Sequence, residues 1–130
     1  MRHYRTAFTG LAAGIVFAAA FTGAAAAKHY YGSIAYSADT GAIGYAYDNS
    51  SKQGAINVAL NACYKHADDC VTAINFWDGA CGAIAVGRNG GWGASWGEDL
   101  HFASDGALDK CSENDDGCQV KRYQCTSVPR

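Results

Sequence analysis

From Ser33 to Ser37 the chain alternates, with Ser33, Ala35 and Ser37 on one side and Ile34 and Tyr36 on the other. That is the period of a strand. Ala38-Asp39-Thr40-Gly41 supplies turn residues, Gly41 being able to take positive φ. Alternation resumes from Ala42 to Asp48, with Ile43, Tyr45 and Tyr47 sharing a face, and the two strands predict a hairpin. The period then changes. Ala55, Ile56, Ala59, Leu60 and Cys63 recur at helical intervals and leave Lys52, Gln53, Asn57 and Asn61 for solvent. Ser50, with Gln53 three residues on, reads as the helix cap. Val71 to Trp77, rich in β-branched and aromatic residues, reads as a third strand.

The same order is then written again. Gly32-Ser33-Ile34-Ala35 returns as Gly82-Ala83-Ile84-Ala85, and Gly44-Tyr45-Ala46-Tyr47 returns as Gly93-Ala94-Ser95-Trp96. Ala59-Leu60 with Cys63 and Cys70 returns as Ala107-Leu108 with Cys111 and Cys118. Gly82 to Gly87 and Gly91 to Gly97 form the second hairpin, Phe102 to Cys111 the second helix despite Gly106, and Gln119 to Cys125 the last strand. Repeat one spans residues 32–77 and repeat two residues 82–125. A single unit of this size has little core to bury. The expectation is one α+β domain in which two pseudo-symmetric strand-strand-helix-strand units share a largely antiparallel sheet of about six strands, both helices on one side.

Residues 1–27 stand outside this pattern. Arg2 and Arg5 precede an uncharged, largely apolar stretch from Phe8 to Phe21, and Ala25-Ala26-Ala27 offers small residues for cleavage, the organisation of a signal peptide. The stretch is shorter than the ~20 apolar residues of a spanning helix. Export is therefore expected, leaving residues 28–130 as a single secreted or periplasmic domain. With Arg2 and Arg5 set aside, eight basic residues face twelve acidic ones, a net charge of −4. That balance argues against nucleic acid.

All six cysteines fall after residue 27, and export would carry them to a compartment where disulfides persist. Cys63 and Cys70 are seven apart, as are Cys111 and Cys118. The symmetry predicts those two pairs, with Cys81 and Cys125 joining the halves. Seven is not the usual zinc-knuckle spacing of two to four, so no metal or other cofactor is expected.

Candidate chemistry is sparse. Cys81, with His66 and His101 elsewhere, could form a nucleophile only as a free thiolate, which the expected pairing removes. Asp68-Asp69 and Asp115-Asp116 sit in the two short cysteine loops and read as solvated turns rather than a glycosidase pair. Asn114-Asp115-Asp116-Gly117 lacks the later ligands of a calcium loop. The aromatic residues are more informative. Trp92 and Trp96 share a strand face across Ala94, and Tyr45 and Tyr47 hold the corresponding face of the first unit. Open, that face would be a stacking platform; closed, it would be core. Trp77, beside Asp78-Gly79, is expected to be partly exposed.

Gly32-Ser33-Ile34-Ala35-Tyr36-Ser37, Thr40-Gly41-Ala42-Ile43-Gly44-Tyr45-Ala46-Tyr47, Asp69-Cys70-Val71 and Cys81-Gly82-Ala83-Ile84-Ala85-Val86-Gly87 occur in the order found in a family of small secreted bacterial proteins. Over nearly the whole chain after residue 27, the sequence resembles the family catalogued as domain of unknown function 4189. The resemblance implies export and a compact domain, and brings no catalytic residues. The expected function is non-catalytic binding at the cell envelope or to another protein. A glycan or peptidoglycan binder is the first alternative. A small cell-wall hydrolase, or an inhibitor of a secreted enzyme presenting Asp78-Gly79 or Arg88-Asn89-Gly90, is the second.

Overall fold

The computed structural model describes residues 14 and 28–130; the expected signal peptide, residues 1–27, lies outside this range apart from Gly14. The element order is β1 (Tyr31–Tyr36), β2 (Ile43–Asn49), α1 (Lys52–Tyr64), β3 (Val71–Trp77), β4 (Cys81–Val86), β5 (Trp92–Gly97), α2 (Leu100–Ser112) and β6 (Gln119–Cys125). Strand-strand-helix-strand therefore occurs twice. α1 and α2 each run for 13 residues. The cap of α1 is Ser51, one residue beyond the expected Ser50: its side chain accepts the Gly54 N–H, while Asp99 does the same for Phe102 in α2.

The strands do not form the single sheet expected. They make two three-stranded antiparallel sheets, ordered β2-β1-β3 and β5-β4-β6. The reason lies in the second face of the central strands. Ile34, Tyr36, Phe76 and Ile84 are all fully or almost fully buried on the side away from the helices. One six-stranded sheet with both helices on one side would have left that side in water. Burying each such side chain stabilises by about 1.5–3 kcal/mol, so the sheets stack face to face with a helix outside each. β3 packs over β4 and β5, and β2 over β6.

The outer layers meet through small residues. Ala55, Ala59 and Cys63 of α1 pack on Ala35 and Ala46, and Ala103, Ala107 and Cys111 of α2 pack on Ala83 and Ala85. The approach is close enough that a Cβ at Gly44 would lie 1.9 Å from the Ala59 carbonyl oxygen, and one at Gly93 would lie 2.3 Å from the Cys111 nitrogen. Between the sheets, Gly32 and Gly82 leave room for the Phe76 ring from opposite sides.

Cys63–Cys70, Cys111–Cys118 and Cys81–Cys125 are the bonded pairs. Cys81–Cys125 does not join the halves, however: its cysteines are register partners in β4 and β6 of the second sheet. The halves are joined instead by the inter-sheet core and by Asp48, whose carboxylate accepts the Ser127 N–H at 2.7 Å and its hydroxyl at 2.6 Å.

Candidate functional site

The five aromatic residues singled out above do not form one surface. Tyr45, Trp92 and Trp96 pair with Ile34, Val86 and Gly82 and so face between the sheets, whereas Trp77 follows the inward-facing Phe76 at the end of β3; position along and across the stack decides exposure. Trp92 is half-buried, its ring edge-on to the buried Tyr36 with centroids 5.6 Å apart. It belongs to the core. Tyr45 and Tyr47 lie on the flank where β2 covers β6, with the Arg122 guanidinium 3.5 Å above the centre of the Tyr45 ring. Trp77 and Trp96 lie on the opposite flank, where β3 meets β5. Their rings are 5.2 Å apart at 39°, and the residues are 44% and 47% exposed.

Trp77 and Trp96 therefore clasp the two sheets while leaving indole surface in water. Strand ends account for this: Trp77 is the last residue of β3 and Trp96 the penultimate residue of β5, beyond the layer closed by Ile74, Phe76 and Ala94. The pair lines a shallow cleft of about 330 Å³ together with Asp78, Gly79, Ala80 and Glu98. Asp78 takes φ +49° at the turn. Its carboxylate accepts the Tyr30 N–H at 2.9 Å and contacts His29 Nδ1 at 2.8 Å. Those bonds, the Tyr30 amide first and His29 second, hold its pKa below the ordinary carboxylate value. Asp78 thus fixes the cleft wall, and Glu98 is exposed beside it.

The other acidic candidates are structural, and not merely solvated as expected. Asp69 receives the Ser37 hydroxyl and the Asp39 N–H, tying the first disulfide loop to the β1–β2 turn. Asp115 accepts from the Asn89 backbone and side chain and from Gly91, at 2.8–2.9 Å, tying the second loop to the β4–β5 turn. Asp68 and Asp116 remain exposed. The Ser37 hydroxyl is the main cause that lowers the Asp69 pKa. At Asp115 desolvation is the largest single influence and opposes ionisation, but four hydrogen bonds together outweigh it and lower the pKa. Asp69 stands one residue before Cys70 and Asp115 three before Cys118, so the available signal was only an acidic pair inside each loop. Cys81 is oxidised, so it offers no thiolate to His66 or His101. Among the described residues no cluster of three or more metal-ligating side chains occurs.

A family model described as a domain of unknown function (DUF4189) matches residues 31–125. A similar solved structure is the NMR structure of Rv1813c from Mycobacterium tuberculosis, at 26% sequence identity and a TM-score of 0.55, with 74% of each chain covered. No curated protein matches the chain.

Proposed function

This chain belongs to the DUF4189 family, and on that premise we propose that it is a non-catalytic, disulfide-stabilised binding module of the cell envelope whose Trp77–Trp96 rim stacks against a glycan. The half-exposed indole pair carries the reading. A sugar ring presents a C–H face that packs on an aromatic surface and hydroxyls that seek acceptors, and the cleft supplies both an indole surface and the exposed Glu98 carboxylate. Its shallow shape suits a chain lying across it rather than a small molecule enclosed within it.

Two further observations favour binding over catalysis. All six cysteines are paired, and Asp69, Asp78 and Asp115 are occupied in holding turns and the N-terminal strand. Location outside the cytoplasm fits three disulfides, and among the described residues no helix is long and apolar enough to cross a membrane. The test is co-sedimentation of the oxidised protein with isolated cell wall, paired with tryptophan fluorescence during titration with neutral chito-oligosaccharides. Binding that a folded Trp96→Ala variant loses supports the glycan reading. Binding to wall that the variant retains would move the interaction away from this rim.

A further inference from the structure

The second sheet carries another open surface, on the side of β6. α2 lies mainly over β4 and β5, leaving a groove of about 620 Å³ between its first turns and β6. Leu100, His101 and Ser104 form one wall, and Lys121, Tyr123 and Gln124 are among the β6 residues forming the other. A hollow of about 410 Å³ continues past Lys121 to Arg88. We propose that this groove is a second binding site, independent of the tryptophan rim, and that it takes a saccharide bearing carboxylate groups.

Charge is the first argument. Residues 28–130 carry a net −4, yet Lys121 lines both the groove and the hollow and Arg88 lines the hollow, while the Arg122 guanidinium is turned to the other face of β6, over Tyr45. Among the described residues the ion pair present is His29–Asp78, so no carboxylate lies within 4.0 Å of these cations. Two exposed cations with no directly paired carboxylate are free to meet an anionic ligand.

The second argument is the chemistry between the charges. Tyr123 is 53% exposed and offers a ring face, with the Ser104 hydroxyl across the groove available to a sugar hydroxyl. The third concerns what the groove resists. β6 is an edge strand, open to main-chain pairing with another chain. Lys121, however, is the extra residue of a bulge, since Val120 pairs with Ala85 and Arg122 with Ile84. A bulge and a lysine on an edge interrupt the ladder that an added strand needs, while a bulge is a common device for re-aiming a side chain. The surface therefore suits a ligand read by side chains over a peptide read by its backbone.

The test is calorimetric titration of the oxidised protein with oligogalacturonate, polyphosphate, polyglutamate and neutral chito-oligosaccharide at low and raised salt. Oligogalacturonate should bind in preference to the others, and more weakly as salt rises. Lys121→Gln and Arg88→Gln, both at exposed side chains, should each weaken it about two- to fivefold, with circular dichroism unchanged. Tyr123→Ala should weaken it as well, and Trp96→Ala should leave it untouched. Absence of binding, or binding unaffected by Lys121→Gln together with Arg88→Gln, would overturn the site. Equal or tighter binding of polyphosphate or polyglutamate would overturn the saccharide.

Discussion

Replacing Gly93 by alanine tests one of the two closest helix-to-sheet approaches in the fold. The new methyl group would lie 2.3 Å from the Cys111 nitrogen, 2.6 Å from Lys110 Cβ and 2.7 Å from the Lys110 carbonyl carbon. Carbon contacts are comfortable near 3.5–4 Å, so α2 has to lift from β5 by roughly 1 Å. It cannot do so freely, because Ala103, Ala107 and Cys111 are packed on the sheet and Cys111 is bonded to Cys118. Overpacking of this kind costs about 1–3 kcal/mol, and the upper end applies because the obstruction is helix backbone. For a domain of this size that lowers Tm by about 10–20 °C. Gly90→Ala is the control: its φ is +85° and an added methyl would meet nothing within 4 Å, so it carries only backbone strain, about 1–2 kcal/mol. Thermal melts followed by circular dichroism, with urea titration alongside, give both numbers. If Gly93→Ala loses no more than Gly90→Ala, the close helix approach is refuted.

Ile84→Ala, at a fully buried position between the sheets, should cost about 2–5 kcal/mol in urea unfolding; a loss under 1 kcal/mol would contradict the stacked arrangement. Replacing Cys81 and Cys125 by serine opens a 44-residue link and should cost about 4 kcal/mol, against about 2.5 kcal/mol for Cys63 and Cys70, seven residues apart. Asp69 and Asp115 have folded pKa values below their reference of 3.8. Their stabilisation is therefore present above pH 3.8 and lost as pH falls through the folded values. Asp115→Asn should be less stable at neutral pH and show a shallower acid loss below about pH 4. Tyr36 is raised above 10.0, by burial first and by the Asp69 charge second. Its contribution is whole below pH 10.0 and lost as pH rises through the folded value, so Tyr36→Phe should flatten the alkaline limb of the stability profile.

Much of the local structure was legible because neighbouring residues determine it. The hairpin turns and the two helices came from short-range patterns, and the cysteine pairs at seven-residue spacing from the symmetry of the repeat. The stacking of the sheets was not legible, and β1 shows why. Both its faces are apolar, Ala35 on one and Ile34 with Tyr36 on the other, and alternation cannot say what covers each. Size settles it physically: a helix backbone fits against alanine and glycine, while another sheet's side chains interdigitate with isoleucine, tyrosine and phenylalanine. The candidate site was half legible for a related reason. Trp92 and Trp96 do share a face, but Trp92 sits against Tyr36 within the stack and Trp96 sits at its rim. Glu98 carried no motif, and Arg122 over Tyr45 joins residues 77 positions apart.

Where the two units agree and where they differ sorts structural residues from candidate binding residues. Equivalent positions hold the frame: Ala55 and Ala103, Ala59 and Ala107, Cys63 and Cys111, Gly44 and Gly93 make the same contacts in each half. Even the bulges correspond, since Ala73 is the extra residue in β3 as Lys121 is in β6. The strands that follow the helices depart most. β3 reads Val-Thr-Ala-Ile-Asn-Phe-Trp and β6 reads Gln-Val-Lys-Arg-Tyr-Gln-Cys. Ile74 and Phe76 fill the space between the sheets; Arg122 and Gln124 occupy the matching places in β6 and bond to one another at 3.3 Å. A core needs only one of the two strands to be apolar there, because β3 lies over β4 and β5 and completes the layer. On that face β6 is thereby released from apolar packing and carries Arg122, while the end of β3 supplies Trp77 to the rim. Both proposed sites therefore draw on the strands where the units diverge, which explains how a frame built twice from the same contacts presents two chemically different surfaces.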